Sequence, residues 1–375
     1  MNISRTARWL LRLAVLQMGL WSLPLEAQVA GRVVGWGDNS QQQLSVPAGV
    51  SAVIAISAGR YNSVALKSDG TVASWGFNTE TGVPAGLTGV IAIASGAFHT
   101  VALKSNGTVV SWGDNQLGQS TVPAGLTGVT SISAGDFFTL AVKSNGTLVG
   151  WGDNSQGQLT PPGGLTAVTA VAGGTNHTVA LKSDGTVVCW GNNTFGQISV
   201  PGGLTGVIAI AAGSYHSVAL KSNGTVVAWG LNSQNQTSVP AGLSGVTAID
   251  AGDRHTLALK SDRTVVAWGY NATGQSTVPA GLAGVVAIAG GRDHSLAIQG
   301  TDYYVDIVAG NDTTGTGSTA TPLRTVTKAL TLVPSGPYGV IHVKAGNYGT
   351  DRPRITKRVR LVNWGNSGLA RIGKP

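Results

Sequence analysis

Between residues 31 and 299 short apolar runs alternate with clusters of Gly, Pro, Asn and Asp. Thr225 to Trp229, Val246 to Asp250 and Thr256 to Lys260 are typical, each rich in Val, Ile, Leu or Thr and each closed by turn-forming residues. Runs of this length and chemistry predict β-strands. No stretch of this region keeps helical periodicity over ten residues, so an all-β region is expected.

The pattern repeats. Trp-Gly recurs at Trp36, Trp75, Trp112, Trp151, Trp190, Trp229 and Trp268, at spacings of 39, 37, 39, 39, 39 and 39 residues. A fixed period of about 20 to 50 residues indicates a solenoid, a propeller or an array. Superimposed, the copies read T-V-V-x-W-G, a polar stretch such as Asp153 to Gln158, V-P-A-G-L-T-G-V, A-I-A-A-G-x-x-H and S-V-A-L-K-S-D-G. Asp69-Gly70, Asn106-Gly107, Asn145-Gly146, Asp184-Gly185 and Asn223-Gly224 separate the third run of one copy from the first run of the next. Such pairs favour a two-residue hairpin with positive φ at both central positions, which makes the flanking runs antiparallel. Asp262-Arg263 lacks the glycine, and strain is expected there. The tight A-G-x-x-H link makes the second and third runs antiparallel as well, so each sheet spans a period boundary.

The ends of the region bear on closure. After Gln299 the expected first run is missing, whereas an unaccompanied G-R-V-V-G-W-G stands at Gly31 to Gly37. Seven three-stranded sheets result only if that N-terminal run completes the last one. Radial closure of this kind limits open sheet edges. The expected architecture is therefore an all-β, seven-bladed β-propeller over residues 28–299, closed by its N-terminal strand.

Composition removes several alternatives. Gly supplies 55 of 375 residues without a Gly-X-Y period, and charged residues are only 11%, which excludes collagen and a solvated disordered chain. One Cys excludes a disulfide framework and a Cys-based zinc site. Arg5, Arg8 and Arg12, an apolar run from Leu13 to Leu23, Pro24 and the small Ala27 have the layout of a signal peptide over residues 1–27. That run is shorter than the roughly 20 residues of a membrane span. A secreted protein, extracellular or periplasmic, is expected, with no membrane span. Net charge is +8, but residues 28–299 hold eleven cations and eleven anions, and residues 300–375 hold ten and four. A neutral repeat region argues against a nucleic-acid partner.

The motifs W-G-D-N-x-x-G-Q and A-G-x-x-H-S-V-A-L-K-S-D-G resemble the regulator of chromosome condensation repeat family over residues 31–299. The short period, the V-P-A connector and the neutral ring look closest to its secreted bacterial branch, typified by a propeller-type inhibitor of β-lactamases. The resemblance implies seven three-stranded blades. It does not select a function, because the family includes nucleotide-exchange factors, light receptors and inhibitors. An exchange factor conflicts with the export signal, and β-lactamase inhibition is one specific case among secreted members.

The copies differ in two windows. One follows Trp-Gly and holds Phe77, Leu117, Phe195, Leu231 and Tyr270; the other precedes the His column and reads Arg60-Tyr61, Ala97-Phe98, Asp136-Phe137, Thr175-Asn176, Ser214-Tyr215, Asp253-Arg254 and Arg292-Asp293. The hairpin argument puts both windows on the face opposite the Asp-Gly turns. Aromatic and Arg side chains on loops are the raw material of interface hot spots. Tyr61, Phe98, Phe137, Tyr215, Arg254, Arg292, Phe77, Phe195 and Tyr270 are the candidate partner-binding residues. The resemblance to the inhibitor likewise implies contacts in the loops of one face. The bland alternative is drift in unconstrained loops, which should yield Ser, Asn and Gly rather than rings.

His99, His177, His216, His255 and His294 form a column, with Asn62 and Phe138 in the other two copies. Packed sheets lie roughly 10 Å apart and a zinc ligand lies about 2 Å from its ion. The column is therefore expected to be structural, each ring capping a loop carbonyl, with no metal. Catalysis has little to stand on: no G-x-S-x-G or H-E-x-x-H occurs, and Cys189 aligns with Gly35, Ser74, Ser111, Gly150, Ala228 and Ala267 as a small packing residue. The stretch from Asp153 lacks the final Glu of a calcium loop, and an Asx turn suffices. No catalytic residue and no cofactor are expected, and the protein is read as a monomer.

From Gly300 the period stops. Tyr303 to Asp306, Gly310 to Asp312, Thr321 to Leu330, Val340 to Tyr348 and Ile355 to Val362 resemble the opening of a right-handed parallel β-helix of the pectate-lyase-like superfold. The resemblance implies a leading strand, a short capping helix near Thr325 to Leu332, and one or two rungs. Such a solenoid needs about three repeats to bury its core, so residues 300–375 are expected to be a truncated β-helix N-terminal cap. Two functions follow. The first is a secreted, non-enzymatic module whose diversified face binds an extracellular or cell-surface protein. The second is an accessory module of an extracellular carbohydrate-active β-helix protein, with polysaccharide as the partner.

Overall fold

The computed structural model describes residues 31–77 and 82–300, and in the C-terminal part residues 302–305, 309–314, 318, 322–332, 339–344, 347–348, 359–364 and 371–372. The signal peptide expected over 1–27 lies outside the described residues. The chain divides into two compact units, one spanning Val33–Gln299 and the other holding the residues from Gly300 onward together with Gly31 and Arg32.

In the first unit each copy builds an antiparallel three-stranded sheet. Val246–Ala251, His255–Lys260 and Val265–Gly269 show the plan: Val246 pairs with Lys260 and Ala251 with Thr256, and His255 pairs with Gly269. Every middle strand, such as His177–Lys182 or His216–Lys221, is buried over its first five residues and emerges only at its end, at a Lys in six copies and at Gln299 in the last. A strand covered on both faces has no need of polar alternation, which is why H-T-V-A-L-K reads as a near-continuous apolar run. The inner strand carries a register shift near its start in each copy, as between Val246 and Ala248.

Adjacent sheets pack face to face. Ala209, Val218 and Leu220 of one sheet meet Val246, Ile249, Ala258 and Trp268 of the next. The same contact joins the two ends of the array: Val53, Ala65 and Trp75 pack on Ala287 and Ile298. Five sheets are three-stranded, and one has six strands in the order Val285–Gly290, His294–Gly300, Gly31–Gly37, Val53–Ala58, Asn62–Lys67, Val72–Gly76. The N-terminal strand thus stands beside His294–Gly300. Repeated three-stranded sheets packed in this way form a propeller-like, all-β fold.

The hairpin turns differ from the expected type. Gly70, Gly107, Gly146, Gly185 and Gly224 have φ between +76° and +81°, but the Asp or Asn before each does not adopt positive φ. The side chain explains this: Asp69 Oδ1 accepts from Thr71 N (2.9 Å) and Thr71 Oγ1 (2.6 Å), and Asn106 Oδ1 does the same with Thr108. An Asx bond holds the first residue in the ordinary region and leaves one left-handed position, which Gly fills. In the copy lacking Gly, Arg263 occupies that position at φ +66°.

In the second unit Asp302–Val305, Gly339–Lys344 and Val359–Trp364 form a parallel sheet, and Asn347–Tyr348 pairs in parallel with Arg371–Ile372. The helix Val326–Leu332 is started by Thr325, whose Oγ1 accepts from Lys328 N at 3.0 Å. Asp312 fixes that cap, accepting from Arg324 N (2.8 Å), Thr325 N (3.0 Å) and Thr325 Oγ1 (2.7 Å). Val305, Leu323, Val326, Ala329 and Ile341 are fully buried. Among the described residues no helix is long and apolar enough to cross a membrane.

Candidate functional site at the loop end of the repeat array

The two diversified windows lie at one end of the sheets, opposite the Asp-Gly turns. There the short link before each middle strand bonds to the corresponding link of the next sheet. Arg60 N donates to Ala97 O, Ala97 N to Asp136 O, Asp136 N to Gly174 O, Thr175 N to Ser214 O, Ser214 N to Asp253 O and Asp253 N to Gly291 O, and Arg292 N donates to Gly59 O. These bonds, 3.1 to 3.3 Å long, surround a cavity of about 590 Å³. Its wall is made by residues 56–60, 93–97, 132–136, 171–175, 212–215, 250–254 and 289–292, with Phe195 and Leu231 at the rim. Small residues allow this approach: a Cβ at Gly290 would lie 2.6 Å from Gly252 N.

Beneath the links the histidines tie each sheet to its neighbour. His99 Nε2 lies 2.9 Å from Thr139 Oγ1, His177 3.0 Å from Ser217, His216 3.0 Å from Thr256, His255 2.9 Å from Ser295 and His294 3.1 Å from Ser63. Each hydroxyl spends its own proton on a loop carbonyl, as Thr139 does on Gln119 O at 2.9 Å, so the ring must donate from Nε2. The expectation that the ring itself caps a loop carbonyl is corrected: a hydroxyl of the next sheet intervenes. Burial holds the rings neutral, with pKa values pushed down to about 4 in His99, His177 and His294 and about 3 in His216 and His255. Among the described residues no three His, Cys, Asp or Glu side chains are grouped to hold a metal.

A residue type absent from the sequence candidates organises the loops. Gln43, Gln119, Gln158, Gln197, Gln236 and Gln275 are fully buried. Gln158 Nε2 donates to Asp153 Oδ2 (2.9 Å), its Oε1 accepts from Gln156 N (2.8 Å), and its backbone carbonyl accepts from Thr178 Oγ1 (2.7 Å) and Trp190 Nε1 (2.9 Å). The recurrence of Gln in W-G-D-N-x-x-G-Q was the available signal. Asp153 also accepts from Ser155 N at 2.9 Å, the Asx turn expected of that stretch. Cys189 packs among apolar neighbours, and burial pushes its thiol up to about 12, which leaves it unreactive.

The nine candidate residues fall into three groups. Phe77, Tyr61, Phe98 and Phe137 form a chain of rings with successive centroids 6.4, 6.3 and 6.1 Å apart. Arg292 joins this group, its Nη1 donating to Tyr61 Oη at 2.8 Å, and Arg60 stacks between Tyr61 and Phe98 at 5.5 and 5.3 Å. Phe195 and Tyr215 pair edge to face at 5.3 Å, and Arg254 lies 4.8 Å from the Tyr270 ring centre. Phe77 and Phe195 are 39% and 44% exposed, which leaves ring surface available to a partner.

The loop end is also acidic. Asp38, Asp114, Asp136, Asp153, Asp250, Asp253 and Asp293 stand there against Arg60, Arg254 and Arg292. Arg292 Nε lies 3.3 Å from Asp293 and 3.8 Å from Asp253. Burial raises the Asp253 pKa to about 6, with the Asp136 charge adding to it and Arg292 and Arg254 opposing. Burial also raises Asp136, against a bond from Thr175 and the charges of Arg60 and Arg292. Asp250 stands where the other copies have Ser57, Ala94, Ser133, Ala172, Ala211 and Ala289, and burial carries its pKa to about 7 although its Oδ2 accepts from Gly290 N at 2.8 Å.

Comparison with known proteins agrees with this geometry. The regulator of chromosome condensation (RCC1) repeat matches residues 53–80, 90–119, 129–158, 168–197, 207–236 and 246–275, and a protein family of unknown function, DUF1565, matches residues 308–353. No curated protein matches the chain. Among solved structures, Prp20p from Saccharomyces cerevisiae, described with its binding to Gsp1p and histones, is 19% identical with a TM-score of 0.63 over 79% of this chain and 95% of its own. Human WBSCR16 is 17% identical with a TM-score of 0.58, over 72% of this chain and 99% of its own. The CRINKLY ectodomain of the Arabidopsis thaliana receptor kinase ACR4 is 24% identical with a TM-score of 0.53, over 65% and 91%. The first unit is thus a β-propeller-like repeat domain carrying six matched RCC1 repeats.

Proposed function

We propose that the protein is a secreted, non-enzymatic recognition module whose loop end binds a protein partner. The observation that carries this reading is the chain of rings Phe77, Tyr61, Phe98 and Phe137, backed by Arg60 and Arg292 at the mouth of the cavity. Rings already packed against one another lose little entropy on binding, and buried aromatic and Arg anchors dominate interface energies. Prp20p, of similar fold, is described with its binding to Gsp1p and histones. The platform in this reading is a closed ring of seven blades completed by Gly31–Gly37. Its supports are the strand order and the run of link-to-link hydrogen bonds that returns from Arg292 to Gly59.

The test is retention of surface and secreted proteins of the source organism on the immobilised full chain. A protein kept by the parent should be released by Tyr61→Ala/Phe98→Ala/Phe137→Ala, with affinity falling by roughly two orders of magnitude for two or more lost anchors. Identical retention by that variant sinks the reading. The second reading, an accessory module of a carbohydrate-active β-helix protein, draws on the parallel strands of the second unit and the DUF1565 match.

A further inference from the structure

The neutrality of the repeat region conceals a separation of charge along the strand direction. The loop end holds three arginines against seven aspartates. At the hairpin end the balance inverts: the six lysines that close the middle strands, with Arg263, stand against Asp69, Asp184 and Asp262 only. Those three carboxylates are spent locally, Lys67 lying 3.6 Å from Asp69, Lys182 3.1 Å from Asp184 and Lys260 2.9 Å from Asp262. In the remaining copies the turn residue is Asn106, Asn145 or Asn223, so Lys104, Lys143 and Lys221 meet no carboxylate in their turns. With Lys182 they belong to four consecutive sheets, and packed sheets repeat at about 10 Å.

We propose that the hairpin end is a docking surface for an extended acidic polysaccharide, held by Lys104, Lys143 and Lys221, with Lys182, paired to Asp184, in the same arc between Lys143 and Lys221. A row of ammonium groups at even intervals complements a chain with carboxylates at even intervals, and ion pairing with such a chain needs no shaped pocket. The cations of the arc are Lys rather than Arg, point charges without the planar fork that grips phosphate in two bonds. The large exposed apolar side chains among the described residues, Phe77, Leu117 and Phe195, all lie at the loop end. The hairpin end therefore offers no ring for a nucleic-acid base to stack on and no wedge for a bilayer. This surface is separate from the protein-binding rim and stands whether or not that rim has a partner.

The experiment is calorimetric titration of the full chain with polygalacturonate at low and moderate salt. The parent should bind, more weakly as salt rises. Lys104→Gln/Lys143→Gln/Lys221→Gln should weaken binding roughly tenfold or more with an unchanged melting temperature, and Asp114→Asn/Asp153→Asn at the opposite end should bind no worse than the parent. Unchanged affinity of the lysine variant overturns the proposal. So does a loss confined to Lys357→Ser/Arg358→Ser/Arg360→Ser in the basic C-terminal segment. Binding to phosphatidylglycerol vesicles or single-stranded DNA without binding to polygalacturonate overturns it as well.

Discussion

Five buried histidines donate from Nε2 to a hydroxyl of the next sheet, and their folded pKa values of about 3 to 4 lie below the unfolded value of about 6.5. Below that unfolded value the unfolded chain takes up protons first, so the stability these rings contribute is lost as pH falls from about 6.5 toward 4. Asp250 acts in the opposite sense: its folded pKa of about 7 exceeds the ordinary 3.8, so its contribution is greatest below 3.8 and is lost as pH rises through 7. Two variants separate these effects. His255→Phe, which copies Phe138, should flatten the acid limb of stability by about one proton between pH 6.5 and 4, read by urea unfolding across pH. An unchanged limb would mean the ring is not held neutral. Asp250→Ser, which copies Ser133 and retains an acceptor for Gly290 N, should gain stability over the parent at pH 8 and little at pH 4. The His column was legible in the sequence because it recurs. Its partner was not, since the hydroxyls of Thr139, Ser217, Thr256 and Ser295 lie one period further along and Ser63 lies 231 residues before His294, and only packing brings them into reach.

The strands were readable because every copy repeats the same apolar runs between the same breakers. The turn between them was readable as a turn but not in its type: Asp-Gly and Asn-Gly pairs serve more than one hairpin, and the Thr two residues on selects the Asx-bonded form. The connector before each inner strand adds a second left-handed position, filled by Gly89, Gly128, Gly206, Gly245 and Gly284 but by Ala52 and Ala167 in two copies. Ala167 sits at φ +57°, where a Cβ costs about 1 to 2 kcal/mol, partly offset by the extra freedom Gly has when unfolded. Ala167→Gly should therefore stabilise the protein by about 0.5 to 1 kcal/mol in urea unfolding. A destabilised variant would show that the connector is relaxed as it stands. Gly224→Ala is the converse case: at φ +81°, with the new Cβ 3.3 Å from Gly245 N, it should destabilise by about 1 to 2 kcal/mol.

At the scale of the repeat domain the sequence hid what only an axis reveals. Counting charge along the chain averages the two ends of every blade, so eleven cations and eleven anions read as neutral although, among the described residues, aspartates predominate at the loop end and lysines at the hairpin end. The cavity residues Arg60, Asp136, Asp253 and Arg292 are likewise tens of residues apart in sequence and meet only around a common centre. Whether that centre belongs to a closed ring can be read from energetics. Trp36 and Trp190 make equivalent contacts: 6% and 5% exposed, each donates from Nε1 at 2.9 Å, to Gln275 O and Gln158 O. Trp36 packs on Leu257, Leu259 and Ile288, residues more than 200 positions away. In a closed ring no blade is terminal, so Trp36→Ala and Trp190→Ala should each cost about 3 to 5 kcal/mol and should lower one and the same cooperative transition by similar amounts. In an open array the first strand would be free to detach, and repeat stabilities would add along a line. Trp36→Ala would then leave the main transition in place and add a separate low-temperature one, while Trp190→Ala would shift the main transition. Calorimetric melting of the two variants side by side distinguishes these outcomes, and a main transition left unmoved by Trp36→Ala would remove the closed ring from the account of this protein.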